Sequence, residues 1–210
     1  MPLATCHISG IFLLSAGIRQ TESKYYVEYL STLALPSYPK LITVSVRKFA
    51  PPCEALLPDG SHVFMVAKVA LPPGEDGMLD SIFCTPFNPP SESSEDPIAK
   101  FSPTHTVFVT GTVCNVNGNG PTRSFTLTTG DYVYNKRRTF DIRFVPFLKS
   151  SCDPSLTHMC LSFKYDGTSS RWRNVHLPVV GSFVTATGIF AGVLEDDRPV
   201  FDLLDIAMNP

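Results

Sequence analysis

The stretch Gly181-Ser-Phe-Val-Thr-Ala-Thr-Gly188 has a counterpart earlier in the chain, Gly60-Ser-His-Val-Phe-Met-Val-Ala67. In both, a Gly-Ser pair opens a run with apolar residues at alternate positions, which is typical of a strand with one buried face. Each run leads through a short acidic loop, Glu195-Asp-Asp-Arg198 or Gly74-Glu-Asp-Gly77, into another apolar run. Both halves of the chain therefore share an order of strand, turn and strand.

A second pair of segments supports this likeness between the halves. Ile8-Ser-Gly-Ile-Phe12 resembles Val109-Thr-Gly-Thr-Val113. The separation between matching segments increases along the chain, as an insertion into one loop would produce. We predict a diverged tandem repeat, and the alternative is that any two five-stranded segments can be aligned in this way.

Short apolar runs bounded by Pro, Gly, Asn, Asp or Ser predict the full set of strands, because Pro lacks the N–H that a strand ladder needs. In the first half these runs are Cys6–Leu14, Lys24–Leu33, Lys40–Phe49, His62–Leu71 and Met78–Phe87. In the second half they are His105–Val116, Ser124–Val133, Thr139–Phe147, Met159–Tyr165, Ser182–Val193 and Pro199–Met208. Asn117-Gly-Asn-Gly120 is a strong hairpin signal, and residues 149–158 are the best place for a helix.

The stretch from Pro86 to Pro97 is rich in Pro, Ser and acidic residues and has little to bury, which is typical of a linker. We therefore predict a first domain over residues 1–87, a linker over 88–104 and a second domain over 105–210. Each domain is long enough to bury a core.

Composition and charge bound the class of protein. The chain is 43% hydrophobic and 11% aromatic, with a net charge of −2. Ile8–Leu14 is too short to cross a bilayer and lacks the features of a leader peptide. The six cysteines are irregularly spaced, so we expect free thiols and a soluble protein in a reducing, intracellular compartment.

The charge is unevenly distributed along the chain. Residues 1–104 carry a net charge of −3, whereas residues 121–174 carry +5 and the tail from Leu194 is acidic again. One segment of the second half is therefore a candidate basic face, which favours a polyanionic partner.

The strand count and the Gly-Ser strand followed by an acidic turn resemble the oligonucleotide/oligosaccharide-binding (OB) fold, and within it single-stranded-DNA-binding proteins of the replication protein A type. The second half carries this resemblance through Val107–Val116, Ser124–Tyr134, Thr139–Val145 and Pro178–Ile206, and the first half through its strand count and Gly60-Ser61. The chain departs from that type because it has no four-cysteine zinc ribbon and no overall basic charge. The fold expected is all-β, with two tandem five-stranded OB-like Greek-key barrels.

The resemblance implies that the second and third strands of a barrel bind a nucleic acid, with aromatic rings stacking on bases and cations contacting phosphates. Carried over residue by residue, this surface would comprise Phe125, Tyr132, Tyr134, Lys136, Arg137, Arg138, Phe140, Arg143, Lys164, Tyr165, Arg171, Trp172 and Arg173.

Two local patterns carry most of this prediction. Tyr132 and Tyr134 are two apart and would share one face of a strand beside Lys136-Arg137-Arg138, although a solvated hairpin tip would have the same pattern. Arg171-Trp172-Arg173 could clamp a base. Alternatively, Trp172 plugs one end of the barrel and the two arginines point outward.

Signals for metal binding and catalysis are weak. Cys152, His158 and Cys160 lie close in sequence, but a structural zinc site needs four ligands and only Cys114 or His176 could supply another from a distance. No nucleophile elbow, zinc-protease, Walker or dinucleotide motif is present. We expect no metal, no cofactor and no enzymatic activity.

The function that these patterns favour is binding of single-stranded nucleic acid, DNA before RNA, by a nuclear protein that does not bind membranes. The alternative is an OB-fold protein-interaction module without nucleic-acid binding, which docks on a protein partner or forms a homodimer. Apolar edges such as Leu41–Val46 would then add to a partner's strand. A hydrolase on an unrelated β-sandwich is a third, minor reading.

Overall fold

The structure is a computed structural model that describes residues 5–21, 25–33, 42–71, 77–87, 105–118, 120–131, 157–194, 196 and 198–208. These residues form ten strands. None of them belongs to a helix, so the described ranges contain no helical segment that could span a bilayer.

The first half holds β1 (Thr5–Arg19), β2 (Tyr26–Leu33), β3 (Ile42–Phe49), β4 (Ser61–Ala70) and β5 (Gly77–Pro86). β1 pairs antiparallel with β2 and β4, β2 with β3, and β4 with β5. The circuit closes through a parallel pairing of β3 with β5. We refer to this closed circuit as the first barrel.

The second half holds β6 (Thr106–Asn117), β7 (Thr122–Asp131), β8 (Thr157–Asp166), β9 (Phe183–Val193) and β10 (Pro199–Met208). It repeats the same order of pairings: β6 with β7 and β9, β7 with β8, β9 with β10, and β8 parallel with β10. We refer to this circuit as the second barrel. Both circuits have the strand order of an OB barrel.

Alternation of apolar residues along each strand builds the two interiors. Along β9 every second side chain is buried, and Val184, Ala186 and Phe190 point inward. A Cβ on Gly188 would lie 3.0 Å from the ring of Phe163 and 2.9 Å from the Cβ of Phe201. The glycine therefore makes room for the aromatic core of the second barrel.

The Gly-Ser pairs form the same turn in both barrels. Gly60 and Gly181 have φ angles of 83° and 89°, a region that strongly favours glycine. Each donates its N–H to the strand that opens its own barrel, Gly60 to Leu14 O at 2.9 Å and Gly181 to Val113 O at 2.8 Å. The turn thus fixes where the fourth strand of each barrel begins.

The pairing register corrects one of the proposed sequence matches. Val63 and Val184 each lie three residues after the glycine of the turn, and they pair with Phe12 and Gly111. Gly111 therefore corresponds to Phe12 and not to Gly10. The two-residue shift leaves the alternation of inward and outward residues intact, which is why the sequence match could not detect it.

The two barrels are joined through their first strands. β1 pairs antiparallel with β6 from Thr5↔Thr110 to Ser9↔Thr106, and this pairing includes Ile8↔Val107. Ile8 and Val107 occupy equivalent positions, so the joint has the form of a contact between two like units about a two-fold axis. Buried side chains from both barrels form one continuous hydrophobic cluster.

Several sequence predictions need correction. The third strand of the second barrel is Thr157–Asp166, whereas the predicted strand Thr139–Phe147 lies outside the described residues. The predicted helix over 149–158 is wrong at its end, because β8 begins at Thr157. Within the predicted strand-addition edge Leu41–Val46, Val44 to Val46 are not open to a partner strand, because they have β2 on one side and β5 on the other; Leu41 lies outside the described residues. The linker 88–104 also lies outside the described residues, and the domain boundaries stay a prediction.

Candidate nucleic-acid interface

Seven of the predicted site residues lie outside the described residues: Tyr132, Tyr134, Lys136, Arg137, Arg138, Phe140 and Arg143. All seven belong to the connection between β7 and β8. Its two ends, Asp131 and Thr157, are paired with each other. The connection therefore leaves and re-enters the second barrel at one point.

Phe125 and Tyr165 are core residues of the second barrel, which corrects their assignment to the binding surface. Phe125 is 1% exposed, and its ring stacks on Phe163 with centroids 5.5 Å apart. Tyr165 is 6% exposed and packs on Trp172 at 5.2 Å. Because both rings point into the barrel, neither offers a face to a base.

Trp172 also packs against the second barrel and does not form a clamp. It is 9% exposed, in a turn where its N–H bonds to Ser169 O at 3.2 Å. The guanidinium of Arg171 lies 4.9 Å from the centre of its ring and donates to the carbonyl of Leu204. Arg171 and Arg173 are exposed. This is the arrangement that the alternative reading predicts.

The outer wall of β7 and β8 is lined by small hydroxyl side chains. Thr126 and Ser162 lie opposite each other, with their oxygens 3.2 Å apart. Lys164 projects from the same wall and forms a 3.5 Å ion pair with Asp202. The described part of this wall carries no aromatic ring, and Thr126 and Ser162 are only 5% and 7% exposed, so its described residues offer no surface for base stacking.

Exposed aromatic rings occur instead on the first barrel, where β2 begins and β3 ends. We refer to Tyr25, Tyr26 and Phe49 as the aromatic cluster. Tyr25 and Phe49 are 54% and 56% exposed, and their rings are nearly parallel, 2° apart with centroids at 6.1 Å. Tyr26 pairs with Phe49 across the strands and meets it edge-on at 5.7 Å.

Arg47 orients the cluster from the next outward position on β3. Its guanidinium carbon lies 4.5 Å from the centre of the Tyr26 ring. Its Nε and Nη2 donate to the two carboxylate oxygens of Asp80 at 3.0 and 2.8 Å. A bidentate arginine bound on one side and stacked on the other holds a fixed geometry, which keeps the Tyr26 ring in place.

Backbone contacts fix the position of Tyr25, which precedes β2. Ala50 N donates to Tyr25 O at 2.8 Å, and Gln20 N donates to Tyr26 O at 3.1 Å. Arg19 donates to the carbonyls of Ala50 and Glu54 at 3.0 and 2.6 Å. Hydrogen bonds therefore hold the backbone that carries these rings, so a ligand can bind with little reorganisation of the protein.

Exposed aliphatic side chains extend this surface along the barrel. Leu30, on β2, is 47% exposed, and Ile18, on β1, is 60% exposed. The surface is not basic, because Arg47 is paired with Asp80 and Lys48 with Glu54. It is therefore suited to flat apolar groups, such as the faces of nucleobases, more than to phosphates.

The aromatic cluster was missed because the basic charge drew attention to the second half. A usable signal was present, since Tyr26, Glu28 and Leu30 alternate with buried Val27 and Tyr29. That alternation places Tyr26 and Leu30 on the outer wall.

No group of three or more His, Cys, Asp or Glu residues in the described ranges could hold a metal ion. Of the thiols considered for zinc, Cys152 lies outside those ranges. Cys160 is a free thiol with its sulfur 3.9 Å from Thr128 Oγ1.

Comparison with known proteins gives matches at the level of structure. No family model matches the sequence, and no curated protein matches it either. Among solved structures, the wild-type single-stranded DNA binding protein from Thermus aquaticus matches with a TM-score of 0.52 at 9% identity, over 100% of this chain and 95% of that one. A deletion mutant of that protein matches with a TM-score of 0.53 at 9% identity, over 100% of this chain and 97% of the mutant. The predicted fold class is confirmed: the chain is all-β, with the OB fold that these structures share.

Proposed function

We propose that this protein binds single-stranded nucleic acid, DNA in preference to RNA. The observation that carries the proposal is the exposed, nearly parallel pair Tyr25 and Phe49, held where the second strand of an OB barrel begins and the third ends. The outer wall of these strands is the surface with which OB folds bind oligonucleotides.

Stacking and phosphate contacts come from different parts of the chain in this proposal. Each base stacked on the aromatic cluster would contribute about 1–3 kcal/mol with little dependence on sequence. Phosphate contacts would come from Lys136, Arg137, Arg138 and Arg143, in the connection that leaves the second barrel after Asp131. The ligand would then touch both barrels.

The test is a titration of fluorescently labelled single-stranded DNA, duplex DNA and single-stranded RNA, followed by anisotropy at two salt concentrations. We expect the tightest binding to single-stranded DNA and an affinity that falls as salt rises. A charge-reversal variant of Lys136, Arg137 and Arg138 should bind more weakly and with a smaller salt slope. Absence of binding at low salt would overturn the proposal.

We further propose a nuclear, intracellular location and a role in binding without catalysis. The comparison structures are of binding proteins, which supports the second part. Imaging of the tagged chain in cells tests the first, and exclusion of the signal from nuclei would contradict it.

A further inference from the structure

The first strand of the first barrel changes partners at a kink. The part of β1 up to Leu14 pairs with β4, and its last part pairs with β2. The register with β2 is interrupted between Ser15 and Ile18. We refer to the two residues within this interruption, Ala16 and Gly17, as the kink. The kink turns β1 from one neighbour to the next around the barrel.

Ala16 has a backbone conformation that is unfavourable for a residue with a side chain. Its φ angle is 52°, and no other non-glycine among the described residues has a positive φ. In this region the Cβ atom crowds the backbone, so the surrounding structure has to maintain the conformation. The kink therefore depends on contacts from outside β1.

Two contacts hold the kink, and both involve the loop before β4. Oδ1 of Asp59 accepts a hydrogen bond from Ala16 N–H at 2.7 Å. On the inner side, a Cβ on Gly17 would lie 2.6 Å from the ring of Tyr29, whose hydroxyl accepts a bond from Leu57 N–H at 3.0 Å. Asp59 is exposed, so its side chain can be replaced without opening the core.

The second barrel closes without a carboxylate at this place. Val180 precedes its turn glycine, as Asp59 does in the first barrel, and the side chain of Val180 cannot accept a hydrogen bond. The register of β6 with β7 is interrupted between Val113 and Asn115, where Asn115 Oδ1 accepts from Val116 N–H at 2.9 Å. Because an OB barrel of this chain closes in this way, the Asp59 contact has a more local role than barrel closure.

The chain beyond the kink holds the backbone of the aromatic cluster. Arg19, the last residue of β1, donates to Ala50 O at 3.0 Å. Ala50 N–H in turn donates to Tyr25 O at 2.8 Å. Gln20 N–H donates to Tyr26 O at 3.1 Å. The direction in which β1 leaves the kink therefore determines where the rings of the cluster lie.

We propose, on the basis of the proposed function, that Asp59 is a positioning residue for nucleic-acid binding. It acts on the aromatic cluster through the kink and does not itself contact the ligand. Removal of a negative charge alone would favour a polyanionic ligand, whereas loss of the kink weakens stacking on the cluster. A loss of affinity without Asp59 would therefore come from geometry.

The test is an anisotropy titration of labelled single-stranded DNA. Asp59→Ala removes the acceptor and should raise the Kd at least about fivefold. Asp59→Asn keeps an acceptor oxygen without the charge and should stay within about twofold of the wild type. Ala16→Gly added to Asp59→Ala should restore most of the affinity, because glycine adopts a positive φ without support. Val180→Ala, at the matching turn position of the second barrel, is the control and should have no effect.

Amide hydrogen exchange, measured without nucleic acid, distinguishes positioning from general destabilisation. In Asp59→Ala, we expect the amides of Gln20 and Ala50 to exchange at least about tenfold faster than in the wild type. The amides that pair β4 with β5 should exchange at the wild-type rate, since that part of the first barrel does not depend on the kink.

Wild-type affinity in Asp59→Ala would overturn the proposal. Equal losses in Asp59→Ala and Asp59→Asn, or no recovery in the double variant, would do the same. Faster exchange throughout the first barrel would also contradict it, because Asp59 would then support the fold as a whole. If the wild type binds no oligonucleotide, the proposed function fails, and exchange at Gln20 and Ala50 still decides whether Asp59 holds the cluster.

Discussion

Folding stability should decrease in mild acid because of a single buried histidine between the barrels. His105 is 2% exposed, its ring lies 4.6 Å from that of Phe12, and its Nε2–H donates to Ile11 O at 3.2 Å. Its Nδ1 has no hydrogen-bond partner among the described residues. Burial lowers its pKa from 6.5 to about 4, although the bond to Ile11 opposes that change.

The direction of the pH dependence follows from the fact that the unfolded state binds the proton at a higher pH than the folded state. Between the two pKa values the unfolded chain is protonated at His105 and the folded chain is not, so acid favours unfolding. The contribution is complete above about pH 6.5 and is lost as the pH falls towards about 4. The difference between the unfolded and folded pKa values of His105 corresponds to about 3 kcal/mol of folding stability, of which about 2 kcal/mol is lost by about pH 4.5.

The assay is urea unfolding followed by the fluorescence of Trp172, the one tryptophan of the chain, which is buried. Free energies of unfolding are compared at about pH 7 and about pH 4.5 for the wild type and for His105→Gln. Glutamine can still donate to Ile11 O but does not titrate. We expect the wild type to lose about 2 kcal/mol more than the variant on acidification. Equal losses in the two proteins would refute the assignment.

Three further substitutions test the surface and the core. Phe49→Ala should weaken binding of single-stranded DNA roughly five- to 150-fold in an anisotropy titration, while Phe108→Ala on a different wall should not; equal effects would argue against the aromatic cluster. Gly111→Ala should lower the free energy of unfolding by about 1–3 kcal/mol, because the new Cβ would lie 2.6 Å from Thr128 O; an unchanged urea midpoint would contradict this. Phe163→Ala should cost about 3–5 kcal/mol in the same assay, since its ring is fully buried, and a cost like that of Phe108→Ala would be incompatible with the described core.

The strands were predictable where one face is buried and the alternation is regular. Gly181–Gly188 and Gly60–Ala67 both begin a fourth strand, because a glycine with positive φ has to form the turn before it. The closing strands β5 and β10 also lie where the sequence predicts them. Local pattern and final structure agree at these places because short-range geometry determines both.

The choice of the third strand in the second barrel could not be read locally. Thr139–Phe147 and Met159–Tyr165 both alternate like strands. The second has a partner on each side, through Phe125↔Phe163 and Phe201↔Phe163, whereas the first lies outside the described residues. Such pairings join residues far apart in sequence, and no local pattern reports them.

The candidate site was harder to predict than the fold because one pattern serves two roles. Phe125 shares a strand face with Leu127, and Tyr165 shares one with Phe163, which are both buried. Alternation tells which residues share a face but not which face meets water. Charge then pointed to the second half, whereas the described exposed rings other than Phe108 lie on the first barrel, where Arg47 and Lys48 are paired with carboxylates.

The pairing of β1 with β6 has a consequence for any attempt to divide the protein. Without residues 105–210, the N-terminal half of β1 would have β4 on one side and open hydrogen-bonding groups on the other. An edge strand with unpaired N–H and C=O groups tends to pair with a strand of another molecule. Because the joint has the form of a contact between like units, we expect an isolated half to find its replacement in another molecule of itself. We therefore expect a truncated half to form oligomers through β1 and not a monomeric domain.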